Sequence, residues 1–147
     1  MDAAIREHLP RVMREGRLTA FGFTPEGANL PTAIIAVRVA TAQVYSLDRE
    51  RMLVNPPSQS SLPALHIETL GVDLRWARQG QGEALVNHVT RWAYAVRPSL
   101  ALRLITVDSV NEPGALQFYG ERLVFEHSDA PATDGLVHFW QDLELGS

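Results

Sequence analysis

Strand and helix patterns alternate along the second half of the chain, and this alternation narrows the possible folds more than any other feature. Residues 65–72 are rich in branched apolar side chains, which predicts a strand. Residues 80–96 carry an apolar stripe at steps of three and four, which predicts a helix. Further strands are predicted at 102–107, 124–127 and 136–143, and a short helix at 111–120. Strands that alternate with helices predict an α/β fold, in which a single central sheet has a parallel portion and is flanked by helices.

The first half of the chain gives less regular patterns. Residues 3–15 carry Ile5, Leu9 and Val12 at helical spacing and predict a helix, although Pro10 interrupts the hydrogen bonding of such a helix. Strands are predicted at 18–23 and 32–47, and a polar loop at 48–62.

The composition is that of a globular protein, with 46% hydrophobic and 20% charged residues. A length of 147 residues suits a single domain covering 1–147. The absence of cysteine excludes disulfides, thiolate metal sites and a cysteine nucleophile. No apolar run reaches the ~20 residues that cross a bilayer, and residues 1–17 lack the apolar stretch of a secretory signal. We therefore expect a cytoplasmic protein without a membrane partner.

Charge is unevenly distributed. All 13 basic residues are arginine, and the formal net charge is −4. Residues 74–103 contain five arginines against the single acid Glu83, whereas residues 112–147 contain seven acids against Arg122. A basic middle suits a phosphate-bearing ligand and an acidic end suits a cationic acceptor, unless both are simply solvated faces. The negative total predicts that nucleic acid is not a partner.

Two glycines stand at the start of the 80–96 helix, directly after a strand and a short loop. The loop and the first helical turn read Arg78, Gln79, Gly80, Gln81, Gly82 and Glu83. Glycine allows close backbone approach, and the free N–H groups of a first helical turn form an anion site. This arrangement suits a diphosphate. It lacks the Gly-Lys-Ser/Thr of a P-loop and the third glycine of a Rossmann fingerprint.

This stretch resembles the cofactor motif of the GNAT acetyltransferases, which reads Val-Asp, about four residues, then Gln/Arg-x-x-Gly-x-Gly/Ala. Val72-Asp73 and the two glycines Gly80 and Gly82 match in place, whereas Ala77 stands at the Gln/Arg position. The resemblance implies a GNAT fold and the use of acetyl-CoA, bound through backbone N–H groups of residues 78–83 and without a metal.

A second segment supports the first. Residues 111–119, Asn-Glu-Pro-Gly-Ala-Leu-Gln-Phe-Tyr, resemble the GNAT segment that ends in Phe-Tyr, and Val124 stands where that family usually has glycine. Residues 39–47 are similar to the third strand of GNATs related to toxin–antitoxin modules. The main resemblance covers residues 64–126. The family usually has two helices after its first strand, so the resemblance implies a shortened N-terminal helical part here.

The resemblance also implies roles in acetyl transfer. A backbone N–H within Leu70, Gly71 and Val72 would polarise the thioester carbonyl, and Asn111 would contact the cofactor unless it serves only as a helix N-cap. Tyr119 would be the acid that protonates the leaving thiolate; otherwise it is a half-buried structural tyrosine.

Two residues of the 65–72 strand are candidates for the base that deprotonates the amine. Glu68 is the first choice and His66 the second, because positions two apart on a strand share a face. The alternative is a structural ion pair between Glu68 and an arginine.

These residues predict an acetyl-CoA-dependent N-acetyltransferase with a primary amine of a small molecule or a peptide as acceptor. A GNAT-fold module that binds acyl-CoA without efficient catalysis, and a toxin-like GNAT acting on aminoacyl-tRNA, are the alternatives. Long apolar strands such as 32–47 also suit a homodimer.

Overall fold

The computed structural model describes residues 3–8, 18–43, 61–73, 75, 80–128 and 134–144, with the backbone alone for 3–8. In chain order, the elements are β1 Ala3–His8, β2 Thr19–Pro25, β3 Ala33–Gln43, β4 Ser61–Val72, α1 Gln81–Leu100, β5 Leu104–Val110, α2 Pro113–Gln117, β6 Glu126–His127 and β7 Leu136–Asp142. A π-helical turn, Phe118–Arg122, continues α2.

The strands form one sheet in the order β1-β2-β3-β4-β5-β7-β6. Antiparallel pairing joins β1 to β2, β2 to β3, β5 to β7, and β6 to β7. The neighbours β4 and β5 are instead connected by α1, the kind of crossover that parallel neighbours require. The fold is therefore α/β with a single central mixed sheet, as the alternation of patterns predicts.

The chain divides into two compact units. The first consists of Met1–Arg38 and Ile67–Trp92, and the second of Val39–His66 and Ala93–Ser147. The expectation of a single domain over 1–147 stays a prediction. In the first unit, α1 packs on β2 because the Phe21 ring lies edge-on to His88 and Trp92, at centroid distances of 4.8 and 5.4 Å. Burial lowers the pKa of His88, so this contact involves a neutral imidazole.

The second unit is held by an apolar cluster and by an ion pair. Leu62, Ala64, Leu104 and Trp140 are all buried and pack together. The ion pair joins Arg103, just before β5, to the last residue of β7, Asp142. Arg103 donates from Nε to Oδ1 at 2.8 Å and from Nη2 to Oδ2 at 2.9 Å. This two-point hydrogen bonding raises the pKa of Arg103, so the guanidinium stays charged.

Two expectations about the helices are wrong. Residues 3–8 of the predicted 3–15 helix form a strand, because every residue of β1 is paired with β2, from Ala3 opposite Pro25 to His8 opposite Ala20. Residues 9–17, and with them the expected shortening of the N-terminal helical part, lie outside the described residues. The long helix also does not end at residue 96 as predicted, although Pro98 follows. It continues to Leu100, because a proline in the last turn removes only one hydrogen bond there, and ends where Ala101 adopts a φ of 53°.

The predicted strands agree better. β4 contains all of 65–72 and begins earlier, at Ser61, so the predicted 48–62 loop is a strand at its end. β3 covers 33–43 of the predicted 32–47 strand. Residues 44–47 lie outside the described part of the chain. Among the described residues, no helix is both long and apolar enough to cross a membrane.

Candidate functional site

The first candidate site lies where β4 ends and α1 begins. The Asp73 backbone N–H donates to the Thr32 carbonyl at 2.7 Å, which ties the end of β4 to the segment before β3. The Asp73 carboxylate then accepts hydrogen bonds from the backbone N–H of Arg75 at 2.9 Å and from its side chain. These hydrogen bonds from Arg75 lower the pKa of Asp73, so the carboxylate stays ionised and fixes the turn that leaves the strand.

Gly80 is the N-cap of α1. Its carbonyl accepts the N–H of Ala84 at 3.0 Å, and its φ of 78° is one that glycine adopts without strain. A Cβ at this position would meet no described residue within 4 Å, so the backbone angle, and not contact with that part of the chain, is the reason for glycine. The N–H groups of Gln81, Gly82 and Glu83 form the first turn, whose donors have no partner within a helix.

The Gln81 side chain is used for a contact within the protein. It is buried, and its Oε1 accepts a hydrogen bond from the Thr32 hydroxyl at 2.7 Å. Thr32 is therefore hydrogen-bonded both to the end of β4, through Asp73, and to the beginning of α1, through Gln81. These two hydrogen bonds hold the helix terminus next to the strand end. Gln81 remains a cofactor-binding candidate only through its backbone N–H.

This terminus fits a diphosphate by its chemistry. A helix of 20 residues presents the positive end of its dipole there. The N-cap carries no side chain, and no residue of the described ranges fills the position of a Cβ at Gly80. One residue opposes an anion: Glu83, the acid of the first turn. Arg78 and Gln79 lie outside the described residues, and their predicted role stays a prediction.

The strand end that was expected to polarise the thioester carbonyl is partly open. Leu70 and Val72 are half-buried and Gly71 is exposed. Among the described residues, a Cβ at Gly71 would meet nothing within 4 Å, and the φ of Gly71 lies outside the left-handed range. Neither the packing of those residues nor the backbone angle requires glycine at this position.

Glu68, the first-choice base, forms an ion pair. Its Oε2 accepts the Arg38 Nε–H at 2.7 Å, and both side chains are about two-fifths exposed. This is the structural alternative that the sequence left open. The ion pair gives Glu68 a structural partner, and its role as the base stays a prediction.

His66 belongs to a polar cluster of the second unit. Its Nδ1 lies 2.8 Å from the Thr106 hydroxyl, and its Nε2 lies 3.8 Å from Asp108 Oδ2. The other carboxylate oxygen of Asp108 lies 2.5 Å from His138 Nδ1. Sequence reasoning missed Asp108 and His138, because they come from β5 and β7 and no local motif joins them. The strand register of the structure makes these two residues direct partners, and a single sequence does not reveal that register.

Asn111 is exposed, and it is not the N-cap of the following helix. Glu112 occupies that position, with extended backbone angles and no side-chain hydrogen bond to the helix. The N-cap lies one residue later than predicted because Pro113, with its fixed φ and missing N–H, is suited to the first helical position. The role of Asn111 in cofactor binding stays a prediction.

Tyr119 lies in the π-helical turn and is buried, with 9% of its surface exposed. Its ring packs against Phe118, Phe125 and Phe139, at centroid distances of 5.0, 6.0 and 5.9 Å. Burial raises the pKa of the phenol, so Tyr119 keeps its proton at neutral pH. A protonated phenol can donate a proton, which is what a general acid must do. Tyr119 also lies on a π-helical turn, a distortion that is frequent at functional sites.

Val124 adopts a backbone angle that favours glycine, the residue that the GNAT segment usually has at this position. It has a φ of 58° and is 71% exposed, and a β-branched residue is strained at that angle. Glycine is free of this strain.

We expect Val124→Gly to raise the free energy of unfolding by ~1 kcal/mol, because relief of a strain of ~1–2 kcal/mol exceeds the entropy that glycine adds to the unfolded chain. Denaturant unfolding measures it. The control Leu123→Gly, at a φ of −96°, should destabilise the protein. A loss of stability in Val124→Gly would show that the left-handed angle is not strained.

Three of the five arginines of the basic middle segment form contacts within the protein. Arg75 pairs with Asp73 and Arg103 with Asp142. Arg97 donates to the Leu143 carbonyl. These contacts account for much of the positive charge between 74 and 103 without a phosphate ligand. Among the described residues, no group of three or more His, Cys, Asp or Glu side chains could hold a metal ion.

Comparison with known proteins gives a result at the level of structure only. No protein-family model matches the chain, and neither does any curated protein. A solved structure described as a bacterial toxin matches with a TM-score of 0.76 at 17% identity, over 92% of this chain and 73% of that one. AtaT in complex with acetyl-methionyl-tRNAfMet matches with a TM-score of 0.75 at 14% identity, over 94% and 78%.

A third match is a tyrosine-to-phenylalanine mutant of the AtaT toxin, bound to the C-terminus of the antitoxin AtaR and to acetyl-CoA. Its TM-score is 0.73 at 13% identity, over 99% of this chain and 96% of that one. At these identities the likeness shows the fold alone. The chain has the mixed α/β fold of GNAT-type toxins.

Proposed function

We propose that this protein is an acetyl-CoA-dependent N-acetyltransferase of the GNAT superfamily, which transfers an acetyl group to a primary amine by direct attack in a ternary complex. The observation that carries the proposal is the start of α1, where Gly80, a residue without a side chain and with a positive φ, caps a long helix. The likeness in fold to toxins solved with acetyl-CoA supports it.

The backbone N–H groups of residues 80–83 would hold the diphosphate, together with Arg78 and Gln79 from the preceding loop. The strand end around Gly71 would direct a backbone donor at the carbonyl, where a fixed donor stabilises the charge that develops during acyl transfer. Acetyl-CoA supplies the activated thioester. The protein therefore has to bind, orient and move protons, and Tyr119 is the residue that we assign to the leaving group.

Replacement of Tyr119 by phenylalanine should lower the rate of free-thiol release by ~10–100-fold while acetyl-CoA affinity persists, because the ring packing is kept and only the proton donor is lost. Phe118→Leu, which alters the same aromatic group without removing a hydroxyl, is the control. Full activity of Tyr119→Phe would make Tyr119 a purely structural residue.

A second candidate function differs in the acceptor. AtaT is solved with acetyl-methionyl-tRNAfMet, so an aminoacyl-tRNA is a specific alternative to a small-molecule or peptide amine. The net charge of −4 favours a small acceptor. AtaT has the same fold and is solved with a tRNA. The prediction that nucleic acid is not a partner is therefore not supported.

A free-thiol release assay separates these possibilities. Methionyl-tRNA, a peptide with a free N-terminus and spermidine are offered in parallel with acetyl-CoA. Thiol release that depends on the peptide or on spermidine supports the first candidate, and release with methionyl-tRNA alone supports the second. Acetyl-CoA binding without thiol release for any acceptor would instead indicate a binding module. A homodimer and a cytoplasmic location stay predictions.

A further inference from the structure

Thr32 directly precedes β3, and its polar groups have partners on three other elements of the first unit. Its backbone N–H donates to the Phe23 carbonyl of β2 at 2.9 Å, and its own carbonyl accepts the N–H of Asp73, just after β4, at 2.7 Å. Its hydroxyl donates to Oε1 of Gln81, the first residue of α1, at 2.7 Å. Thr32 therefore joins β2, the end of β4 and the start of the long helix through a single residue.

The hydrogen of the Thr32 hydroxyl is used for Gln81. A threonine hydroxyl has one hydrogen to donate, and two acceptors lie near it, Gln81 Oε1 at 2.7 Å and the Phe23 carbonyl at 3.4 Å. The shorter contact has the usual length of a hydrogen bond between oxygens, and the Phe23 carbonyl already accepts the Thr32 N–H. The contact with Gln81 is therefore a hydrogen bond that strand pairing alone does not supply.

The burial of Gln81 makes this hydrogen bond costly to lose. Only 3% of the residue is exposed, and a buried amide group that loses a hydrogen bond is left unsatisfied or has to move toward water. Apolar packing is non-directional, whereas a hydrogen bond weakens steeply when its angle is poor. The bond to Thr32 thus restricts the orientation of the first helical turn more than an apolar contact would.

The same helical turn contains the N–H groups that the proposed function assigns to the diphosphate. Gln81, Gly82 and Glu83 follow the N-cap Gly80, and the regular geometry of a helix keeps their N–H groups at fixed angles to one another. A constraint on the Gln81 side chain therefore constrains the direction of all three donors. Donors that are in place before binding do not have to be ordered by the ligand, which favours affinity.

We propose that Thr32 is a positioning residue of the acetyl-CoA site, which acts through the buried Gln81 side chain to hold the first turn of α1 in the orientation that binds the diphosphate. This inference rests on the proposed function. Thr32 lies 49 positions before Gln81 in the sequence, so no local motif contains both. Its effect is on the fraction of molecules whose donors are correctly oriented before acetyl-CoA binds.

Thr32→Val, which replaces the hydroxyl by a methyl group of similar size, tests the proposal. We expect the Kd of acetyl-CoA to rise ~10-fold, because part of the binding free energy is then used to order the helix terminus. Thr32→Ser keeps the hydroxyl and should restore the wild-type affinity. Calorimetric titration measures the Kd, and circular dichroism shows whether each variant is folded.

Further variants separate positioning from a general loss of stability. Thr90→Val makes the same change on α1 itself, where the Thr90 hydroxyl donates to the Val86 carbonyl at 2.9 Å, and it should leave the Kd unchanged. Gln81→Leu removes the other partner and should weaken binding by a factor similar to that of Thr32→Val. In the Gln81→Leu background, Thr32→Val should then cost less than ~2-fold, because the interaction is already lost.

Kinetics give a second readout. In the thiol-release assay, Thr32→Val should raise the KM for acetyl-CoA and leave kcat near the wild-type value, because the diphosphate is bound equally in the ground state and the transition state. With acetyl-pantetheine, which lacks the diphosphate, Thr32→Val and the wild type should have the same kcat/KM.

The outcomes distinguish this inference from the proposed function. A wild type that does not bind acetyl-CoA contradicts the proposed function, and this inference with it. A wild type that binds, together with a Thr32→Val variant of equal affinity, overturns only the role of Thr32. A loss that Thr32→Ser does not restore, or that persists in the Gln81→Leu background, also overturns it. Should Thr32→Val not fold, Gln81→Leu decides: weakened binding supports the proposal and unchanged binding contradicts it.

Discussion

Asp142→Ala should lower the free energy of unfolding by about 3–5 kcal/mol, the cost of leaving one member of a buried ion pair without its partner. The Asp142 side chain is only 2% exposed and that of Arg103 only 15%. The carboxylate also accepts the backbone N–H of Glu144 at 2.9 Å, so its loss leaves several donors unsatisfied. Urea unfolding followed by circular dichroism measures the change.

A double substitution distinguishes the cost of an unpaired charge from the value of the pair. Arg103→Met combined with Asp142→Leu should be less destabilising than Asp142→Ala alone, since neither charge then remains buried. Glu144→Ala is the surface control, because that carboxylate lies 3.4 Å from Arg103 but is 61% exposed; it should change stability by no more than ~1 kcal/mol. A loss below ~1 kcal/mol in Asp142→Ala would contradict the structural role of the pair.

Gly82→Asp should weaken acetyl-CoA binding by at least ~100-fold, about 2.8 kcal/mol, while the protein stays folded. Gly82 lies in the first turn of α1, where a new carboxylate would repel a bound diphosphate. The same carboxylate interacts favourably with the helix dipole, so the free energy of unfolding should be unchanged or rise by up to ~1 kcal/mol. A loss of acetyl-CoA affinity without a loss of stability would show that Gly82 has a binding role and that the substitution does not damage the fold.

Two matched variants complete this test. Gly82→Ala adds a methyl group without charge and should retain most of the affinity. Glu83→Gln removes the acid already present in the first turn and should tighten binding several-fold. Calorimetric titration of acetyl-CoA and thermal unfolding are measured for each variant. If Gly82→Asp binds as tightly as the wild type, the diphosphate does not lie at this helix terminus.

The α/β class and the long helix could be predicted because their information is local. The apolar stripe of residues 80–96 reports one buried helix face, and the 65–72 strand has the composition of a buried strand. Residues 3–8 could not be assigned in this way. Pairing with β2 over the full length of β1 outweighs the weak helical spacing, and that partner is distant in sequence.

The features of the candidate site likewise differ in whether they depend on local sequence or on contacts between distant residues. The position of two glycines at the start of the long helix follows from a local sequence pattern. The structure adds that Gly80 is the N-cap and has a positive φ. The pairing of Glu68 with Arg38 and of Asp108 with His138 joins residues 30 apart. Such contacts depend on strand register, which a single sequence does not reveal. The motif that contains Tyr119 could be placed, but its burial among three aromatic rings could not.

The central claim is that the start of α1 binds the diphosphate of acetyl-CoA. Calorimetric titration of the wild-type protein with acetyl-CoA, and in parallel with acetyl-pantetheine, which lacks the diphosphate, tests it most directly. We expect saturable one-to-one binding of acetyl-CoA and much weaker binding of acetyl-pantetheine. The absence of heat with acetyl-CoA, or equal affinity for both compounds, would contradict the claim.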